Sequence, residues 1–484
     1  MKKGIRSPVT SIRNLRACMG LNKHRKVSFV WQSLYYSVNI IKVLSSRIQE
    51  DGMDKESLVM GLHEYIDSQK HNLLKTLKEY INFRSINVRM LREGEVSEIV
   101  ECQRWVASQL EEIGYFDKVD YYEIKEGRPN VVGIRNGSGE GRSLLFNGHS
   151  DVVIVSEEQE RAWTELSPFD GGVKDGKVWG RGATDMKGGG TAMLYAAKAL
   201  KELDVKLRGG LLLTFVDGEE SGEAELGIWS LIEKNYTADL GIMCECSTID
   251  TICNKSKGEI YYNIKIRGES THICNRHKTI WPQKRREDQI GVNAIDKMVK
   301  LINAFSELER SWGLDYYHPE LDPGTTTLAV SMIRGGESFS AQAGECEITI
   351  ASLFSPELTV EDIRRQITGT IDYVADHDHW LRNHRPQYEM PFYPKVPLKV
   401  SDDDEAVQTA IFSYEQVMGK KPRLGFSRGV GDYNYMFEKG MKCINWGPGD
   451  AELAHGVNEY VEIDKVLTAA KIYAAMAVNW CGAS

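Results

Sequence analysis

Apolar residues recur along this chain in two rhythms. Between residues 62 and 83, and again between 98 and 114, they return every three or four positions, which predicts amphipathic helices, the second closed by Gly114. Residues 143–147, 211–216 and 240–244 are instead short apolar runs, the pattern of strands buried on both faces. Residues 188–203, small and spaced in Leu and Ala, predict a helix lying close against a sheet. Apolar strands alternating with helices imply an α/β fold, a mostly parallel sheet sandwiched by helices.

Near Gly258 the texture changes. Residues 259–267 alternate as a half-exposed strand, 291–312 form a long amphipathic helix, 325–334 and 345–353 read as strands, and 360–374 as another helix. That order predicts an inserted α+β domain. After the proline-bounded stretch 391–397 the chain returns to the first domain, with helices at 406–418 and 465–478 flanking an apolar run at 441–446. The expected organisation is a leader at 1–59, a catalytic domain in two parts at 60–257 and 394–484, and an inserted domain at 258–393.

With 484 residues, 42% hydrophobic and 27% charged, the composition is that of a multidomain globular protein and excludes a disordered or fibrous chain. The net charge of −9 conceals an asymmetry. Residues 1–49 hold ten Lys or Arg and no acid, so the remainder carries 50 basic against 69 acidic residues, a net of −19. An acidic body argues against nucleic-acid binding. The basic leader has transit-peptide character, and its apolar stretch at 27–46 is interrupted by Gln32, Asn39 and Lys42. The expectation is no membrane span and an extension upstream of a start at Met53 or Met60. Nine scattered cysteines with no CxxC pair indicate a reduced, cytoplasmic setting.

Four segments concentrate acids and histidines at predicted strand ends. His149 and Asp151 stand two apart just after an apolar run, so that the histidine can ligate a metal and Asp151 can orient its ring. Asp185 lies in a glycine-flanked loop, Gly180-Arg-Gly-Ala-Thr-Asp185-Met-Lys-Gly-Gly-Gly190, where a phosphate cradle would be repelled by the acid and a carboxylate bridging two cations fits better. Glu219 and Glu220 end an apolar strand together, one suited to ligate and its neighbour to serve as general base. Glu245 lies between Cys244 and Cys246, which share the opposite face and read as core. His455 occupies a late loop, Ala454-His455-Gly-Val-Asn-Glu459. Mixed N and O donors suit zinc, cobalt or manganese. Two such ions about 3.5–4 Å apart would support metal-assisted hydrolysis.

In order and spacing these motifs resemble the di-zinc aminoacylase and carboxypeptidase family that includes acetylornithine deacetylase and succinyl-diaminopimelate desuccinylase. The resemblance implies two divalent ions per subunit, zinc foremost, one held by His149, Asp185 and Glu245 and the other by Asp185, Glu220 and His455. It implies that Glu219 is the general base, that Asp151 orients His149, and that the peptide bond after Asp185 is cis. The inserted domain resembles the family's lid and dimerisation module. There His272, in Gly268-Glu-Ser-Thr-His272, would reach the other subunit's site to stabilise the oxyanion.

Two segments depart from the family's pattern. Gly335–Ala343 and Ile350–Phe354 lack the Asn and Arg that hold a substrate carboxylate, while residues 277–286 form a basic loop beside His272. The expected activity is removal of an acetyl, succinyl or formyl group from an amino-acid-like or heterocyclic amine by a homodimeric enzyme. The approach to Asn293 resembles a formyl-aminopyrimidine deformylase branch. The alternatives are a dipeptidase or carboxypeptidase of the same family, and an inactive member used for binding, which would have lost a ligand or the base.

Overall fold

The computed structural model describes residues 55–280 and 290–483. Most of the basic leader and most of the basic loop at 277–286 lie outside them. Helices α1 (Lys55–Ser68) and α2 (Lys70–Asn82) replace the single helix read from the periodicity, and α1 takes in residues 55–59 of the expected leader. The break falls at Gln69, whose amide is shared between the carbonyls of Tyr65 and Ile66, while the hydroxyl of Ser68 also donates to the Tyr65 carbonyl. Helix α3 (Ile99–Ile113) ends at Gly114 in the left-handed conformation.

The main sheet has eight strands: β1 (Lys118–Lys125), β2 (Arg128–Arg135), β3 (Leu144–His149), β6 (Leu211–Val216), β7 (Leu240–Cys246), β8 (Thr251–Lys255), β13 (Arg423–Phe426) and β14 (Cys443–Gly447). Their spatial order is β1-β2-β6-β3-β7-β14-β8-β13. The central strands β6, β3, β7 and β14 run parallel, while β1 and β2 extend one edge antiparallel. A small sheet, β4 (Gly172–Lys174), β5 (Lys177–Trp179) and β15 (Tyr460–Glu462), ties the segment before Asp185 to the one after His455. Sequence periodicity does not mark β1, whose half-exposed and charged positions blur the alternation, nor β2, which is mostly buried but whose apolar run is broken by Arg128, Pro129, Asn130 and Gly133.

Helix α4 (Gly188–Glu202) is buried along nearly its whole length between the sheet and the C-terminal helix, Ile463–Cys481. Glycine makes this approach possible. A Cβ on Gly189 would lie 2.0 Å from the carbonyl oxygen of Cys244. Phe146, Leu194, Met243, Ile444 and Tyr473 fill the core between these layers.

The inserted segment has its own core. Strands β9 (Gly258–Arg267), β10 (Thr327–Gly335), β11 (Glu345–Phe354) and β12 (Gln387–Glu389) form an antiparallel sheet in the order β10-β11-β9-β12. Helices α5 (Ala294–Asp315) and α6 (Val360–Asp376) bury Met298, Leu301, Phe305, Ile363 and Ile367 against it. Helix α5 starts later than the periodicity suggests. Asn293 caps it by accepting from the amide of Ile295, and Gly291 before it is left-handed, so residues 291–293 are outside the helix. Both chain crossings between the two sheets lie side by side, with Glu259 and Lys395 exchanging main-chain hydrogen bonds of 2.9 Å. Among the described residues no helix is long and apolar enough to cross a membrane.

Substituting Gly189→Ala forces α4 off β7. We expect a loss of about 1–3 kcal/mol or more, read as a lower urea midpoint. An unchanged midpoint would mean that the layers are not held at this spacing.

Candidate metal centre

Four members of the cluster are delivered by ends of main-sheet strands and two by loops. His149 closes β3, Glu219 and Glu220 follow β6, and Glu245 sits near the end of β7. Asp185 precedes α4, and His455 lies between β14 and β15. The carboxyl ends of parallel strands are where open α/β sheets leave a crevice.

Asp185 is the shared member. One of its oxygens lies 3.2 Å from Nε2 of His149, and the other 3.4 Å from Nε2 of His455. Each histidine has a second carboxylate: Glu245 at 3.8 Å from His149 and Glu220 at 3.0 Å from His455. Donor atoms of His149, Asp185 and Glu220 lie within 4.8 Å of one another, as do those of His149, Glu219 and Glu245. The peptide after Asp185 is cis.

The electrostatics show how unfavourable this grouping is for the protein alone. Burial, then the Asp185 charge, pushes Glu220 up to about 7. Burial, then Glu219 and Asp185, raises Glu245 well above the usual carboxylate range. Burial likewise raises Glu219, opposed by the Lys395 ammonium. Asp185 goes the other way. Burial would raise it, but hydrogen bonds from His149 and His455 outweigh that and hold it low. Oε1 of Glu220 is buried with no hydrogen-bond partner. Carboxylates packed this tightly are costly without cations, so the donor set fits two divalent ions sharing Asp185.

A surrounding shell, most of it unforeseen from sequence, fixes these groups. Nδ1 of His149 donates to the main-chain carbonyl of Asp151 at 2.9 Å, while the Asp151 carboxylate stands farther off at 3.6 Å. The ring is therefore held chiefly by a backbone oxygen, where sequence had assigned the carboxylate. That carboxylate accepts instead from Asn87 at 2.8 Å and from the amide of Glu220 at 3.2 Å, which ties two of the motifs together. Glu459 accepts from the amides of Thr184 and Asp185 and pairs with Arg181 at 2.5 Å. Arg181 in turn donates to the carbonyl of His455 at 3.0 Å. Arg181 and Glu459 stood inside the recognised motifs, but their pairing across 278 residues had no local signal. Asp432, buried near Glu219, is raised by burial and by that charge to about 8.

Two expectations need qualification. Cys244 is core, but Cys246 is only half-buried at the edge of the site. His272 does not join the cluster of its own chain. It is exposed, and its Nδ1 accepts from the amide of Cys274 at 3.2 Å.

The model of peptidase family M20/M25/M40 matches residues 145–479. The chain belongs to that family. Over 440 residues it is 32% identical to the N-formyl-4-amino-5-aminomethyl-2-methylpyrimidine deformylase of Bacillus subtilis strain 168, covering 89% of this chain and 99% of that one. It is 24% identical over 396 residues to the succinyl-diaminopimelate desuccinylase of Marinobacter nauticus, covering 80% and 95%. Among solved structures the YXEP protein of Bacillus subtilis, described as a dinuclear metal binding peptidase, shares the fold with a TM-score of 0.56 at 14% identity, covering 85% of this chain and 98% of that one.

Removing one member of the buried pair leaves the other charge unmatched. Arg181→Met should cost about 3–5 kcal/mol of stability, and adding Glu459→Gln should recover part of that in a thermal-melt comparison. A single variant as stable as the parent would show that the pair is not what fixes Asp185 and His455.

Proposed function

We propose that this M20-family chain is a metal-dependent amidohydrolase that removes a formyl group from the amine of an aminopyrimidine-like heterocycle. The observation that carries the chemistry is the division of Asp185, one oxygen toward each histidine, with Glu219 beside it. The relative at 32% identity, with nearly full coverage of both chains, supports the formyl and pyrimidine parts of the reading.

In this reading His149, Asp185 and Glu245 hold one ion and Asp185, Glu220 and His455 the other, with zinc as the resident metal and cobalt or manganese as substitutes. When bound, the ions polarise the acyl oxygen and lower the pKa of the attacking water. The Glu219 carboxylate takes the water's proton as the new C–O bond forms at the formyl carbon. It then gives that proton to the amine nitrogen as the C–N bond breaks, releasing formate and the free amine. Asp151 and its hydrogen bonds keep His149 and the Glu219–Glu220 turn in place. His272, exposed on the inserted domain, acts as oxyanion donor to a second copy in a homodimer. Eight free cysteines among the described residues suit a reducing, cytoplasmic setting.

Hydrolysis of a panel of N-formyl, N-acetyl and N-succinyl amides tests the activity. Turnover should be greatest for the formylated aminopyrimidine and should fall about 100- to 10,000-fold in Glu219→Ala. Unchanged turnover in that variant would sink the mechanism. A protein that binds metal yet cleaves none of the panel would favour a binding role.

Metal loading should also release protons. Hydrogen bonds to Asp185 and Glu220 raise His455 to about 11, and His149, though burial opposes it, is raised well above its usual value by Asp185. Both imidazoles thus hold protons at neutral pH in the metal-free protein and must lose them to become ligands. Calorimetric titration with zinc at pH 7 should give a heat that depends on the buffer's ionisation enthalpy. A buffer-independent heat would count against these histidines as ligands.

A further inference from the structure

Where the chain returns from the inserted sheet, residues 391–397 pass directly over the Glu219–Glu220 turn. The Lys395 ammonium is largely buried there, 3.9 Å from Glu219 and 3.7 Å from Glu259. Neither distance is a hydrogen bond. Burial would lower the pKa of this lysine, but Glu219 and Glu259 outweigh it and keep the group charged. Lys395 lies over the Tyr435 ring at 5.8 Å and between two carboxylates, and its ammonium makes no hydrogen bond to a described residue.

The same segment supplies an apolar wall. The Phe392 ring lies so close to the turn that a Cβ on Gly222 would sit 3.3 Å from it. Tyr261 meets Phe392 edge-on at 5.5 Å between centroids, and its hydroxyl donates to Glu259 at 2.9 Å. One cation with unused donors thus stands beside aromatic surface next to the catalytic base.

We infer that Lys395 is a substrate-contacting specificity residue, whose ammonium donates a hydrogen bond to a neutral ring nitrogen in the amine half of the substrate. The inference rests on the reading of the chain as an N-acyl amidohydrolase. It names what takes the place of the carboxylate anchor that the inserted domain lacks. A substrate carboxylate is the wrong partner here, because Glu219 and Glu259 lie within 4 Å of Lys395, Asp432 and Glu245 also act on it, and a further carboxylate would be repelled. A neutral acceptor meets the free donors without adding charge. A buried polar group built to meet such an acceptor discriminates strongly against an analogue without it.

The test compares the formamide of an aminomethylpyrimidine with N-benzylformamide, which keeps the scissile bond and loses the ring nitrogens, using the zinc-loaded full chain. The parent should prefer the pyrimidine by about 10- to 100-fold in kcat/KM, as expected for a hydrogen bond to a charged group. Lys395→Met should abolish that preference, chiefly through KM, and Lys395→Arg should restore part of it. Titration with the free pyrimidine amine and with benzylamine should show the same loss of selectivity in binding. If Lys395→Met reduces both substrates equally, Lys395 only steadies Glu219 and the inference is overturned, while the deformylase reading stands. If the parent itself cleaves neither formamide, that reading fails first and takes this inference with it. Melting curves of both variants separate either result from misfolding.

Discussion

The site is organised around an electrostatic conflict: several buried carboxylates are held close enough to repel one another. Asp185 is the point where the conflict is resolved, since it alone lies between two imidazoles and stays ionised while its neighbours are pushed toward protonation. Much of the surrounding structure serves to keep these groups from relaxing apart. Glu459, Arg181 and Asn87 fix the backbone and side chains that carry them, and helix α4 is pressed onto the sheet so that Asp185 arrives at the strand ends. Stability is given up at this place for a donor set that only cations can satisfy.

A good part of this could be read from the chain. The buried strands announced themselves as apolar runs, and the residues at their ends, His149, Glu219, Glu220 and Glu245, meant little singly, since an acid or histidine in a turn after a strand is ordinary. Their grouping rested on the order of motifs, and the structure brings these residues, with Asp185 and His455, into one cluster. Other parts were not legible. The break at Gln69 is a local one, where its amide is shared between the carbonyls of Tyr65 and Ile66, and the edge strand β1 has too little burial to show a period while β2 carries polar and glycine residues among its buried ones. Arg181 with Glu459, and Lys395 with Glu219, meet across long stretches of chain that no local pattern connects.

The orientation of His149 shows why a motif is a weaker guide than its geometry. Two residues of spacing suggested a carboxylate–imidazole contact, and the main-chain oxygen of the same Asp151 takes the hydrogen bond instead. The freed carboxylate then binds Asn87 and the Glu220 amide, so one acid serves both halves of the cluster.

The side-by-side crossings between the two sheets also tie the inserted segment to the turn that carries Glu219. Residues 254–259 and 395–400 are joined by the Glu259–Lys395 pair, the Ser256–Leu398 contact and the Val400–Asn254 bond. Lys395 belongs to this strap by its main chain and to the Glu219 turn by its ammonium. The position of the group facing Glu219 is therefore set by the pairing that anchors the inserted sheet, so the two cores share one fixed point beside the cluster.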